Sequence, residues 1–133
     1  MIIRTLSGTI GTELDVHGPA WNSRRLLVAA DKMPYSMTDT IVKAGSEQKL
    51  WYKHHLEACY CIEGTGSISD TANGVTHPIV PGTLYALDRH DQHVLKAETD
   101  IRMICVFSPP LTGQERHDAD GSYALPDLTG QET

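Results

Sequence analysis

The stretch "HHLEACYCIEGTGSI", His54 to Ile68, reads as a strand that breaks at two glycines, Gly64 and Gly66. Side chains on a strand alternate between faces. Glu57, Cys59 and Cys61 therefore share one face with His55 and Glu63, while Ala58, Tyr60 and Ile62 take the other. A carboxylate in line with two cysteines on an inward face is costly to bury without a cation or strong hydrogen bonds. Glu57 is thus the first candidate for chemistry. The cysteines read differently: C-x-C spacing fits neither a redox motif nor a zinc knuckle. Free cysteine is among the most buried residue types, so Cys59 and Cys61 are expected in the core.

Working outward, further short runs are β-branched or alternating: Arg25–Ala30, Thr38–Ala44, Lys49–Tyr52, Val75–Val80, Thr83–Leu87, Gln92–Ala97 and Ile101–Phe107. Turn signals separate them, at Ala44-Gly45-Ser46, Ala72-Asn73-Gly74, Pro81-Gly82 and Glu98-Thr99-Asp100. Asn73-Gly74 between two strand-like runs is a strong hairpin signal. No window carries an apolar stripe at helical spacing long enough for a long helix. The pattern predicts an all-β fold, a sandwich, jelly roll or barrel.

The chain has 133 residues, 40% of them hydrophobic, and a net charge of −6. That is enough for one core and predicts a single domain over residues 1–133. The negative balance, with no Lys/Arg cluster, argues against nucleic-acid binding. No apolar run approaches membrane-spanning length. The start, Met1-Ile2-Ile3-Arg4-Thr5, lacks the apolar core of a signal peptide, so a cytoplasmic location is expected. From Ser108 onward Pro, Gly, Asp and Thr dominate. Residues 110–133 are expected to be a loop-rich tail, with Gly113–Tyr123 forming a lid over the barrel mouth and 126–133 disordered.

The spacing around Glu57 resembles the first motif of the cupin superfamily. Gly45, Glu57 and Gly64 fall in register, while Trp51 and Lys53 occupy the two histidine positions. In the second motif Gly82 leads to Tyr85 where a histidine belongs, with Val80 in the proline position and Pro81 one step late. A standard three-histidine metal centre is thereby excluded. One cupin family accommodates these departures. "WNSRRLL" (Trp21–Leu27), "LWYKHHLEACYCIEGTG" (Leu50–Gly66), "PGTLYALDRHDQH" (Pro81–His93) and "FSPPLTGQERHDADGSY" (Phe107–Tyr123) resemble the ectoine synthase family over nearly the whole chain.

The resemblance implies a cupin-type double-stranded β-helix, or jelly-roll barrel. It implies a hydro-lyase that closes N-γ-acetyl-L-2,4-diaminobutyrate to ectoine with loss of water, and a homodimer. It implies one divalent metal, Fe(II) or alternatively Zn(II), held by Glu57, Tyr85 and His93. Carboxylate, phenol and imidazole donors suit a fairly hard transition metal and leave positions open. The residues alone do not choose between His90 and His93 of "RHDQH". Trp21, Ser23, Thr40, His55, Leu87, Cys105 and Phe107 are implied to meet the substrate. Tyr52, Glu115 and His117 are the catalytic candidates, Tyr52 and His117 for proton transfer. Two other classes stay open on this fold: a non-catalytic module binding a small organic ligand, and a metal-dependent isomerase or dioxygenase.

Overall fold

The computed structural model describes residues 1–125. Ten strands follow a one-turn helix, α1 (Leu6–Thr9): β1 (Asp15–His17), β2 (Trp21–Leu27), β3 (Ser36–Val42), β4 (Glu47–Leu50), β5 (Leu56–Glu63), β6 (Gly66–Asp70), β7 (Thr76–Ile79), β8 (Leu84–Leu87), β9 (His93–Ala97) and β10 (Ile101–Ser108). They form a six-stranded sheet, β1-β2-β3-β10-β5-β8, and a four-stranded one, β4-β9-β6-β7. Every pairing is antiparallel. The two sheets close on a shared core that draws on both, so the jelly-roll expectation holds. Among the described residues no helix is long and apolar enough to cross a membrane.

Period-two patterning builds the wall of the site. On β5, Glu57, Cys59 and Cys61 are buried while Leu56 and Tyr60 are exposed. On β10, Ile101, Met103, Cys105 and Phe107 turn inward. Register then fixes the neighbours: Cys105 lies opposite Cys59 on one side and Thr38 on the other, and Phe107 lies opposite Glu57. On the far side of β5, Cys59 faces Tyr85 and Glu57 faces Leu87. A slip of one residue would turn this whole set to solvent. The break after β5 is required by Gly64, which has φ +92° and whose absent Cβ would collide with the Asp100 carbonyl.

Two expectations gain detail. The Asn73-Gly74 hairpin exists, joining β6 and β7, but through a five-residue loop in which only Gly74 takes a positive φ, +71°. Asn73 instead accepts a hydrogen bond from the Val75 N–H. The second concerns the tail. Leu111, Ser122 and Tyr123 are buried, so the segment is seated into the core rather than only laid over it. The Trp51 N–H donates to the Gly121 carbonyl and the Lys53 N–H to Ser122 Oγ, both at 3.0 Å. The expected disorder of 126–133 lies outside the described residues.

Candidate active site

The inner faces of both sheets and the tail surround a narrow cavity of about 40 Å³. From β2 and β3 come the hydroxyls of Ser23, Thr38 and Thr40, beside Trp21 and Val42. Thr38 Oγ1 and Thr40 Oγ1 lie 3.0 Å apart, Thr40 donates to Ser23 Oγ at 3.4 Å, and Arg25 Nε donates to the same oxygen at 3.3 Å. Cys105 and Phe107 on β10, Glu57 on β5 and Tyr85 on β8 continue the wall along the same sheet, and Gln48, Leu50 and Leu95 of the second sheet face them. Trp21, Tyr52, His117 and Tyr123 close the end reached by the tail.

Tyr52 is the hub of that end. Its hydroxyl lies 2.8 Å from His117 Nε2. Its ring meets Phe107 edge-on at 5.2 Å and Tyr123 at 5.0 Å. His117 stacks on Tyr123 at 4.6 Å with the planes 7° apart. Burial pushes the Tyr52 phenol well above its ordinary range. Burial, helped by the Arg25 charge, pulls His117 down to about 4. A phenol that keeps its proton therefore faces a neutral imidazole across this bond.

Of the implied site residues, Trp21, Ser23, Thr40, Tyr52, Glu57, Tyr85, Cys105, Phe107 and His117 line this cavity together. Leu87 and His93 line an adjoining pocket that shares Tyr85. His55 and Glu115 line neither. His55 is 1% exposed with both ring nitrogens unpartnered, its ring edge-on to Phe107 and Tyr123. The Glu115 carboxylate accepts from the Thr112 N–H and hydroxyl and from the N–H groups of Gly113 and Gln114. Burial alone would raise this carboxyl; the Thr112 and Gly113 donors hold it below its usual value. Its Oε1 also lies 3.7 Å from Arg25 Nη1.

Arg25 is the residue that motif reasoning missed. It is fully buried, its two terminal nitrogens have no hydrogen-bond partner, and its guanidinium lies 5.9 Å from the Trp21 ring and 5.7 Å from that of Tyr123. A signal was available: Trp21, Ser23 and Arg25 share one strand parity. Tyr123 and Thr38 were missed as well, the first because its segment looks too polar for a core.

The donor set fits a cation. His93 Nδ1 donates to the Asp91 carbonyl at 2.9 Å, which leaves Nε2 as a lone-pair donor, buried and without a partner. That is the second-sphere arrangement of a ligating histidine. His90, its rival in sequence, makes the same kind of Nδ1 bond, to the Tyr52 carbonyl, but is exposed, whereas His93 is buried. Burial raises the Glu57 carboxyl to about 7, against the weak pull of the Cys59 and Cys105 thiols, so a carboxylate here lacks a counter-charge. The Glu57, Cys59 and Cys105 donor atoms all lie within 4.8 Å of one another.

Comparison with known proteins points to one family. The family model described as ectoine synthase matches residues 1–127. The L-ectoine synthase of Halalkalibacterium halodurans is 53% identical over 127 residues, covering 96% of this chain and 98% of that one. That of Desulfatibacillum aliphaticivorans is 52% identical over 129 residues, covering 96% and 99%. The crystal structure of ectoine synthase from P. lautus superposes with a TM-score of 0.86 at 49% identity, covering 98% of this chain and 96% of that one. The polyketide cyclase RemF of Streptomyces resistomycificus shares the fold alone, with a TM-score of 0.66 at 18% identity over 81% of this chain and 80% of its own. With the match running along almost its entire length, the chain belongs to the ectoine synthase family.

Proposed function

We propose that this chain closes N-γ-acetyl-L-2,4-diaminobutyrate to ectoine, the hydro-lyase reaction of its family. One observation carries the reading beyond the likeness itself. A small cavity is lined by Tyr52 and His117, which share a hydrogen bond, and close to it lies the Arg25 guanidinium, whose terminal nitrogens make no hydrogen bond. The substrate offers a carboxylate for the guanidinium, an α-ammonium to deprotonate and an acetyl oxygen to lose.

The ring closes when the α-nitrogen attacks the acetyl carbonyl carbon of the same molecule. Folding the substrate into that pose converts a rare encounter into a unimolecular step. A new carbon–nitrogen double bond forms as the carbonyl oxygen departs in water. Two protons leave the α-ammonium and two reach the departing oxygen, so the site must shuttle protons, not consume them. Neutral His117 accepts, and the Tyr52 hydroxyl passes a proton on. Ser23, Thr38 and Thr40 orient the polar groups, while Trp21 and Phe107 exclude the water that would favour the reverse reaction. Glu57, Tyr85 and His93 would hold a divalent metal, for which we favour ferrous iron. Bound there, it would polarise the acetyl oxygen as a Lewis acid.

We further place the protein in the cytoplasm as a homodimer; the exposed Leu56, Tyr60 and Leu84 on the outer sheet face support pairing. The decisive experiment is incubation with the acetylated diamine while product is followed by NMR. A cyclic amidine appearing with the enzyme supports the synthase. Saturable binding with no turnover, in metal-loaded protein, would replace it with a binding module.

A further inference from the structure

The buried cysteines are not equivalent. Cys61 Sγ lies against the carbonyls of Glu63 and Gly64, at 3.4 and 3.7 Å, and belongs to the turn that ends β5. Cys59 Sγ lies 3.4 Å from Cys105 Sγ. The two are direct partners across β5 and β10. Glu57, one step along the same face of β5, brings its carboxylate into the group, so three buried donor atoms fall within 4.8 Å of one another. The cyclisation described above gives Cys59 no task.

This geometry matches an ion that prefers sulfur. Metal–sulfur bonds of about 2.3 Å at a tetrahedral centre set two thiolates roughly 3.8 Å apart. The observed sulfur separation is only slightly shorter, and both side chains already point the same way. One carboxylate oxygen makes a third ligand and leaves a fourth position open toward the cavity, which Cys105 lines. Thiolates select soft ions, whereas the oxygen and nitrogen donors of Glu57, Tyr85 and His93 suit harder ones.

We propose that Glu57, Cys59 and Cys105 form a second, thiophilic cation site, taking ions such as Zn²⁺ or Cd²⁺, that shares Glu57 with the Glu57–Tyr85–His93 set. Binding exchanges two thiol protons for the ion and releases them to solvent. Because both sets need one carboxylate, occupation of the sulfur site displaces the harder ion and silences the enzyme. Only this last consequence rests on the function proposed above.

The test is a titration of the full-length, metal-stripped protein with Cd²⁺, read by ultraviolet sulfur-to-metal charge-transfer absorption. Absorption should saturate at one ion per chain. Cys59→Ser and Cys105→Ser should each remove about half of it or more, since one of two thiolates is lost. Cys61→Ala and His93→Ala should leave it in place, circular dichroism confirming the fold throughout. In turnover assays, Cys59→Ser should need about tenfold more Cd²⁺ for equal inhibition, a loss of about 1.4 kcal/mol in affinity. No charge-transfer band in the wild type, a band indifferent to Cys59→Ser, or one abolished by His93→Ala alone would each overturn the site. The absorbance reads the site whether or not the chain cyclises the proposed substrate.

Discussion

Tyr52 Oη and His117 Nε2 share a hydrogen bond of 2.8 Å although 65 residues separate them in the chain. The bond joins the loop before β5 to the tail, so the proposed proton-transfer pair is complete only when the tail is seated. Tyr52→Phe removes the hydroxyl and keeps the ring packing on Phe107 and Tyr123. We expect kcat to fall by about 100-fold or more, the range general acid–base groups supply, with KM little changed. Urea unfolding should show a cost of only about 1–3 kcal/mol, for the His117 ring nitrogen left unpaired. Undiminished kcat would remove Tyr52 from the chemistry.

The same pair makes a pH prediction. His117 titrates near 4 in the folded protein because burial, then the Arg25 charge, disfavours the imidazolium, while its unfolded value is near 6.5. Between these values the unfolded chain binds more protons, so acid favours unfolding. Stability from this group is complete above about pH 6.5 and is lost as pH falls toward 4. Comparing wild type with His117→Asn cancels the other titrating groups. Going from pH 8 to pH 5, wild type should lose about 2 kcal/mol relative to the variant, by urea midpoints. A difference that is flat across that interval would mean His117 is not held neutral by the fold.

How far the site could be seen in advance depended on strand parity. It placed Glu57 and Cys59 inside and Tyr60 outside, and it separated buried His55 from exposed His54. The same rule reaches Arg25 once β2 is drawn from Trp21; starting the run at Arg25 hid the alternation that aims it inward. β6 escaped because "GSISD" holds two serines, a glycine and an aspartate, poor strand formers whose conformation is imposed by pairing with β7 and β9. Tertiary contact, not local preference, made that strand.

Glu115 was expected among the catalytic groups, yet its carboxylate is spent on the Thr112–Gln114 turn and on Arg25. We predict that it positions rather than reacts. Glu115→Ala leaves the Arg25 charge buried without its partner and should cost about 3–5 kcal/mol of stability. Glu115→Gln keeps an acceptor for the turn and should cost less, while retaining turnover at low temperature. Loss of turnover in Glu115→Gln with stability intact would return the residue to the chemistry.

The tail offers the sharpest contrast between a cover and a core. A polar lid that only excludes water would be removable with the barrel left standing. Here Leu111, Ser122 and Tyr123 are buried. The Leu111 carbonyl accepts from Ala29 N–H at 2.7 Å, and Gly121 lies so close to Lys49 that a Cβ would strike its carbonyl. Tyr123 also carries the stack that holds His117 against Tyr52. Cutting the chain after Pro110 should therefore cost the cooperative fold as well as activity. Tyr123→Ala is the milder form of the same lesion: about 3–5 kcal/mol, as for other large aromatic truncations, with turnover lost as His117 loses its support. A chain ending at Leu125 keeps the Leu111, Gly121, Ser122 and Tyr123 contacts and should unfold cooperatively and turn over. Thermal unfolding of the three variants separates the readings. A Pro110-truncated protein that melts cooperatively near the wild-type temperature, and is merely inactive, would make the segment a lid after all.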